Sequence, residues 1–152
     1  MRLPGRTIIA CLLLAAGAAA SACTGPEGGD PRVGTYHGWF SLGNTSTGST
    51  TLTVLEDGSA QLECTYTGSD PQQGTFHLRL AGEPHIDRHG SLTGNDLTLT
   101  RIVPGVDTTS AEAAIYGDFH VGLDYFNGEW QVMPGEPVSG AGFWFASRDY
   151  RP

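Results

Sequence analysis

Hydrophobic and polar residues alternate in short segments along most of the chain. In one such segment Phe76, Leu78 and Leu80 fall on one side, whereas His77 and Arg79 fall on the other. A repeat of period two is typical of a β-strand that buries one face. Patterns of this kind predict strands at 33–42, 50–56, 59–67, 75–81, 97–103, 115–123, 129–133 and 142–148.

Turn-forming residues separate these segments. The Asp-Gly pair at 57–58 and the Asn-Gly pair at 127–128 are both signals for tight hairpins. The Gly-Asn-Asp sequence at 94–96 predicts a further turn. Only the stretch 107–114 has the composition to form a helical turn or two.

The spacing of the segments predicts the architecture. About eight strands at intervals near ten residues indicate a single small antiparallel all-β meander. Because no helix is long enough to cover an open sheet, its edge strands need protection by another means. We therefore expect a closed or nearly closed β-barrel, with a two-sheet β-sandwich as the alternative.

Residues 1–22 have the pattern of a secretory signal peptide. Arg2 and Arg6 give a positive start, and the apolar stretch 7–20 follows with 14 residues. A stretch of that length suits a signal sequence, whereas a membrane-spanning helix needs about 20 residues. Cleavage is expected before Cys23.

The tetrapeptide Ala-Ser-Ala-Cys at 20–23 resembles a bacterial lipobox, which implies an acyl anchor such as palmitate on the sulfur of Cys23. Leu usually stands at the first of these positions, and the same residues also fit the A-x-A site of ordinary signal peptidase. We expect a lipidated Cys and flexible tether at 23–33, followed by the barrel domain at 34–152. This organisation predicts an exported lipoprotein, anchored to an inner or outer membrane of the cell envelope.

Charge narrows the range of partners. The chain contains 16 acidic residues, eight Arg and no Lys, so its net charge is −8 with His neutral. Loss of Arg2 and Arg6 with the signal peptide would make the mature charge −10. An acidic surface disfavours nucleic acid as a partner. The expected partners are the membrane, through Cys23, and an unidentified envelope protein or small ligand.

Cysteine usage excludes an internal disulfide in the mature chain. Cys11 is removed with the signal peptide and Cys23 is consumed by lipid, which leaves Cys64 alone. Cys64 occupies an apolar position of its predicted strand, so we expect a small buried side chain. The alternative is a reactive thiol in an oxidising compartment.

Several strings resemble the N-terminal barrel of NlpE-type copper-resistance lipoproteins. They are YHG at 36–38, TTLTV at 50–54, DG at 57–58 and GTF at 74–76. The resemblance implies a lipid-anchored barrel that responds to envelope conditions. The C-x-x-C motif of that family is missing, because 42–48 contains no cysteine. The one motif that would imply metal or redox chemistry is therefore absent from the resemblance.

One cluster of polar residues suggests a metal site. If the segment is extended, alternation places four candidate ligands for Zn or Cu on a single face. These residues are Glu83, His85, Asp87 and His89. The alternative is a solvated loop, because Gly and Pro punctuate the segment and a loop would break the alternation.

A second polar stripe lies opposite the apolar face of the predicted strand 115–123. It consists of Tyr116, Asp118, His120 and Asp124. In a barrel filled with side chains this stripe faces water, whereas in a barrel with a polar interior it would line a ligand cavity. The three Trp residues pose a similar choice between the core and a sugar-stacking platform; they are Trp39, Trp130 and Trp144.

Motifs of enzymes are missing from the sequence. It contains no G-x-S-x-G, H-E-x-x-H, P-loop or dinucleotide-binding pattern, and the lack of Lys excludes Schiff-base chemistry. We expect a non-catalytic binding or envelope-accessory module without a cofactor. The alternatives are a Zn- or Cu-binding envelope protein, and a small hydrolase built from carboxylates and histidines on the strands.

Overall fold

Nine antiparallel strands form the described part of the chain in a computed structural model, which covers residues 30–44 and 46–151. Their bounds are β1 (Gly34–Leu42), β2 (Ser46–Val54), β3 (Ala60–Asp70), β4 (Gly74–Gly82), β5 (His85–Ile86), β6 (Ser91–Val103), β7 (Asp107–His120), β8 (Tyr125–Val132) and β9 (Ala141–Ser147). These residues contain no helix, and hence none long and apolar enough to cross a membrane. The all-β prediction is confirmed.

Two pairings convert the meander into a closed barrel. Most strands pair with their neighbours in the chain, and β4 pairs with β6 across the short strand β5. The pairing of β1 with β9, which runs from His37↔Ser147 to Phe40↔Trp144, joins the first strand to the last. The result is an eight-stranded barrel with β5 as an additional strand, so the predicted barrel is confirmed and the sandwich alternative is not adopted.

Large side chains fill the interior. Trp130, Trp144, Tyr36, Phe40 and Phe126 are the largest fully buried residues. The rings of Phe40 and Trp130 stack with their centroids 4.9 Å apart, and Tyr36 meets Phe126 edge-on at 5.0 Å. With packing of this kind, the interior of the eight-stranded barrel is a close-packed core and not a ligand cavity.

The buried polar groups have partners. The indole Nε1 of Trp130 donates a hydrogen bond to the carbonyl of Ser41 at 2.8 Å, and that of Trp144 donates to the carbonyl of Tyr116 at 3.0 Å. In the described part of the chain, every buried side-chain nitrogen and oxygen is hydrogen-bonded. The core therefore has no orphaned polar group that would need a ligand.

The barrel has two ends. The chain enters β1 at one end, here named the tether end. Because antiparallel strands alternate in direction, the turns at 55–59 and 121–124 and the residues after β9 lie at this same end. The turns at 71–73 and 104–106 and the loop at 133–140 lie at the opposite end, here named the far end.

Three local predictions were wrong. Residues 107–114 belong to β7 and are not helical, because their backbone groups pair with β6. The Gly-Asn-Asp at 94–96 is a β-bulge inside β6, where the register with β7 shifts. The Asn-Gly pair at 127–128 lies within β8, and the turn is instead at 121–124.

Close backbone approach explains the glycine at position 128. A Cβ there would lie 1.8 Å from the carbonyl oxygen of Tyr116, so the neighbouring strand requires a glycine. The 121–124 turn has its own local signals, because Gly122 and Asp124 adopt positive φ angles of 84° and 56°. Gly and Asp are among the residues that tolerate this region best.

We expect Gly38→Ala to destabilise the barrel at the pairing of β1 with β9. The new Cβ would lie 1.8 Å from the carbonyl oxygen of Phe145, so the two strands must separate locally. Overpacking of this kind should lower the free energy of unfolding by at least about 2 kcal/mol in urea titrations. His37→Ala is the control, because it changes an exposed side chain on the same strand. Equal stability of the two variants would contradict the prediction.

Candidate functional site on the outer face of the barrel

The four residues of the predicted metal site lie around β5 and the turn that follows it. The Oδ1 atom of Asp87 accepts hydrogen bonds from the backbone amides of His89 at 2.8 Å and Ser91 at 3.0 Å. The Ser91 amide is the main reason that the pKa of the Asp87 carboxyl is lowered. This carboxylate thus organises its own turn.

The histidine of that turn has a local partner as well. The Nε2 atom of His89 accepts a hydrogen bond from Nε of Arg88 at 3.1 Å. Within residues 30–44 and 46–151, no group of three or more His, Cys, Asp or Glu side chains is arranged to hold a metal ion. The structure therefore does not bring Glu83, His85, Asp87 and His89 together as a ligand set.

The structure describes only one of the two cysteines that are predicted to remain after signal cleavage. The lipidation candidate, Cys23, lies outside the described residues. Cys64 is free and fully buried, and the hydroxyl of Thr50 donates a hydrogen bond to its sulfur at 3.4 Å. Burial raises the pKa of the Cys64 thiol to about 12. The thiol is thus held in its protonated, unreactive form.

The second polar stripe lies on the outside of the barrel. Asp118 accepts a hydrogen bond from the hydroxyl of Ser91 at 2.8 Å, and Nε2 of His120 lies 2.6 Å from Oδ1 of Asn127. Asp124 lies in the 121–124 turn. Because the interior is filled by apolar side chains, the stripe does not line an internal cavity.

Only one of the three Trp residues faces outward. Trp39 stacks on Phe145 with the ring centroids 6.1 Å apart. The stack continues from Phe145 to Tyr125 at 5.3 Å and from Tyr125 to His120 at 4.4 Å. These four residues form an outer aromatic row across β1, β9, β8 and β7. Because neighbouring rings cover one another's faces, the row mainly stabilises the sheet across its closing pair of strands.

A second group of residues on the same face includes two exposed aromatic side chains. Tyr116 on β7 pairs with Glu129 on β8, and Glu129 pairs with Phe143 on β9. We name these three residues the aromatic bracket. Tyr116 is 46% exposed and Phe143 is 45% exposed, which is high for aromatic side chains. With strands about 4.8 Å apart, the two aromatic residues are separated by roughly 10 Å along the sheet.

The bracket borders an open groove with a volume of about 390 Å³. Among the described residues that line the groove, Asn44 and Gln131 contribute amides and Glu129 is the only charged residue. The Tyr116 hydroxyl donates a hydrogen bond to Oδ1 of Asn95 at 3.3 Å, which helps to hold its ring in place. The groove thus combines two aromatic side chains with one carboxylate and two amides.

The pattern of polar residues in the sequence predicted Tyr116 as a candidate site residue, but it did not predict Glu129 or Phe143. The alternation in the last predicted strand does place Phe143 opposite the core residue Trp144. The pairing of β8 with β7 and β9 brings the bracket together, and no local pattern in the sequence gives that register.

Comparisons with known proteins do not identify a family. No protein-family model matches the chain, and searches of curated proteins and of solved structures gave no significant match. The resemblance to NlpE-type lipoproteins stays a prediction. The function must be inferred from the site itself.

We expect Cys64 to resist thiol reagents in the folded protein. The wild type and Cys64→Ala should consume equal amounts of a disulfide reagent such as DTNB at pH 8, because the buried thiol is protonated and inaccessible. In denaturant the wild type should consume one equivalent more. A difference of one equivalent before unfolding would instead support the reactive-thiol alternative.

The same thiol should make stability depend on alkaline pH. Because folding raises the pKa of Cys64 from an ordinary value of 9.0 to about 12, its contribution is complete below pH 9 and is lost as the pH rises toward 12. The loss should approach about 1.4 kcal/mol per pH unit. Denaturant titrations between pH 8 and 11 should therefore show a shallower decline for Cys64→Ala than for the wild type. Parallel curves would contradict this linkage.

Proposed function

We propose that the chain is a lipid-anchored, extracytoplasmic binding module without catalytic activity, and that it holds its ligand in the groove of the aromatic bracket. The sequence supports export and anchoring through the signal-like residues 1–22, the lipobox-like residues 20–23 and the apolar-poor segment that follows. The proposed location is the cell envelope, with the barrel held at the membrane by Cys23.

The binding proposal rests on one observation: the barrel interior is filled with side chains, whereas the outer face exposes aromatic side chains beside polar groups. The interior is packed with aromatic and aliphatic side chains, so a ligand would have to displace the core. Tyr116 and Phe143 by contrast present large aromatic surfaces to solvent on either side of a carboxylate. Exposed aromatic residues with polar groups between them are typical of binding surfaces.

The chemistry of the groove favours a sugar ring as the ligand. A pyranose has an apolar face that can pack on an aromatic ring, and its hydroxyl groups can donate to Glu129 and the amides of Asn44 and Gln131. The carboxylate disfavours an anionic ligand, because no cationic side chain among the described lining residues offsets its charge.

The lining also favours binding over hydrolysis. Glycoside hydrolysis by the usual mechanisms requires two carboxyl groups on opposite sides of the scissile bond. Glu129 is the only carboxylate among the described residues that line this groove. A hydrolase assembled from strand carboxylates and histidines is therefore the weaker candidate.

Soluble oligosaccharides released from the cell wall of the organism that makes this protein should bind at the aromatic bracket. In NMR titrations, the backbone amides of Glu129 and Phe143 should shift with added oligosaccharide. Phe143→Ala and Glu129→Gln should each weaken binding about tenfold, which corresponds to about 1.4 kcal/mol. Phe143→Ala removes a stacking surface, and Glu129→Gln removes the charge that strengthens hydrogen bonds from the sugar hydroxyls.

Val106→Ala is the matched control for these variants. It removes an apolar side chain that is 70% exposed in the turn between β6 and β7 and that is not among the residues lining the groove. Unchanged affinity in both bracket variants, or chemical-shift changes confined to other strands, would contradict the proposed site.

A further inference from the structure

The turn between β7 and β8 has an unusual composition for its position. Two of its residues are apolar and largely exposed: Val121 is 84% exposed and Leu123 is 67% exposed. Neither belongs to the core cluster, so the fold gains little from their hydrophobicity. Turn residues are ordinarily polar, and apolar side chains at such a tip suggest contact with another apolar phase.

A single arginine links this turn to the point where the tether reaches the barrel. The guanidinium Nη2 of Arg148 donates hydrogen bonds to the carbonyls of Pro31 and Val33, the latter at 2.8 Å. Its Nε lies 3.9 Å from Oδ2 of Asp124, and its backbone amide donates to the carbonyl of Asp124 at 3.4 Å. Residues 31–33 are therefore adjacent to the 121–124 turn.

Packing fixes Arg148 in that position. Its guanidinium lies over the ring of the buried residue Tyr36, 5.0 Å from the centroid, and donates to the Tyr36 hydroxyl at 2.9 Å. The Tyr36 hydroxyl in turn donates to the carbonyl of Arg32 at 2.8 Å. The start of the barrel and the apolar turn are thus held together by a connected set of contacts with the core.

The length of the tether limits how far the turn can lie from the membrane. Cys23 precedes Pro31 by eight residues, which span at most roughly 28 Å when fully extended. An acyl anchor on Cys23 would therefore keep the tether end, with Val121 and Leu123, close to the lipid surface.

Tyrosines accompany the apolar turn. Tyr125 begins β8 directly after the turn, and Tyr150 follows β9 at the same end. Both belong to one group of outward aromatic rings, because each packs against Phe145, at 5.3 Å and 6.4 Å between centroids. Aliphatic residues at the tip with tyrosines behind them match the polarity gradient of a membrane interface.

We propose that the 121–124 turn is the membrane-contacting element of the barrel, which inserts Val121 and Leu123 into the interface of the bilayer that holds the acyl anchor. This inference rests on the proposed lipid anchor but not on the proposed ligand. The contact adds a second, non-covalent attachment, and it fixes which end of the barrel faces the lipid.

Site-directed spin labelling tests the contact in the acylated full chain, produced with its own signal in a bacterial host that processes lipoproteins. A nitroxide is attached at Leu123→Cys, and in a separate protein at Val106→Cys. The two positions are similarly exposed, at 67% and 70%, but lie at opposite ends of the barrel. Acylated Cys23 and buried Cys64 would leave the introduced cysteine as the labelled thiol.

On phosphatidylcholine vesicles, the label at 123 should become accessible to oxygen and protected from a water-soluble nickel complex. The label at 106 should keep the accessibilities that it has in water. Water-like accessibility at 123 in a protein that is acylated and bound to vesicles would overturn the membrane contact and leave the anchor intact. A mature protein without acyl chains on Cys23 would overturn the anchor, and this inference with it. Neither result would bear on binding of oligosaccharide at the bracket.

Discussion

Closure of the sheet is the constraint on which the rest of the structure depends. An open eight-stranded sheet would expose the hydrogen-bonding groups of two edge strands, and no helix covers them in the described residues. Pairing of β1 with β9 removes these edges, and at Gly38 it requires a residue without a Cβ. A barrel closed with only eight strands is narrow, so its inward side chains are close enough to fill the interior. The filled core then leaves the outer face as the place where a ligand can bind.

The sequence predicted the fold well because period-two alternation and turn chemistry are local signals. The strand that carries Phe76, Leu78 and Leu80 follows from its own pattern, and so does the buried position of Cys64. The predictions were wrong where the same residues are compatible with two conformations. Asn127 and Gly128 are typical of a tight turn, but here the glycine allows close approach of a neighbouring strand. Residues 107–114 are polar enough to suggest a helical turn, yet pairing with β6 decides their conformation.

The site was less predictable because it depends on register between strands. Tyr116 stood out as part of a polar stripe, but whether that stripe faced a cavity or water depended on how the interior was filled. Glu129 and Phe143 become its neighbours only through pairings that join three strands. The predicted metal ligands at 83–89 are not brought together in the described residues, because local hydrogen bonds and not strand register decide the conformation of this segment. Local hydrogen bonds from the Ser91 and His89 amides to Asp87 shape that segment as a turn, so the alternation on which the set relied does not hold.

The pairing of the first strand with the last also limits the order in which the chain can fold. Ser41 and Phe143 are hydrogen-bonded to each other although 102 residues separate them in the chain. Contacts of such long range form slowly, because the intervening loop loses entropy before the pairing stabilises it. For a chain that crosses a membrane from its N-terminus, as proposed here, β1 must wait for β9 to emerge. During that interval the edge of β1 is exposed to any other extended chain, so export would favour a chaperone or rapid completion of translocation.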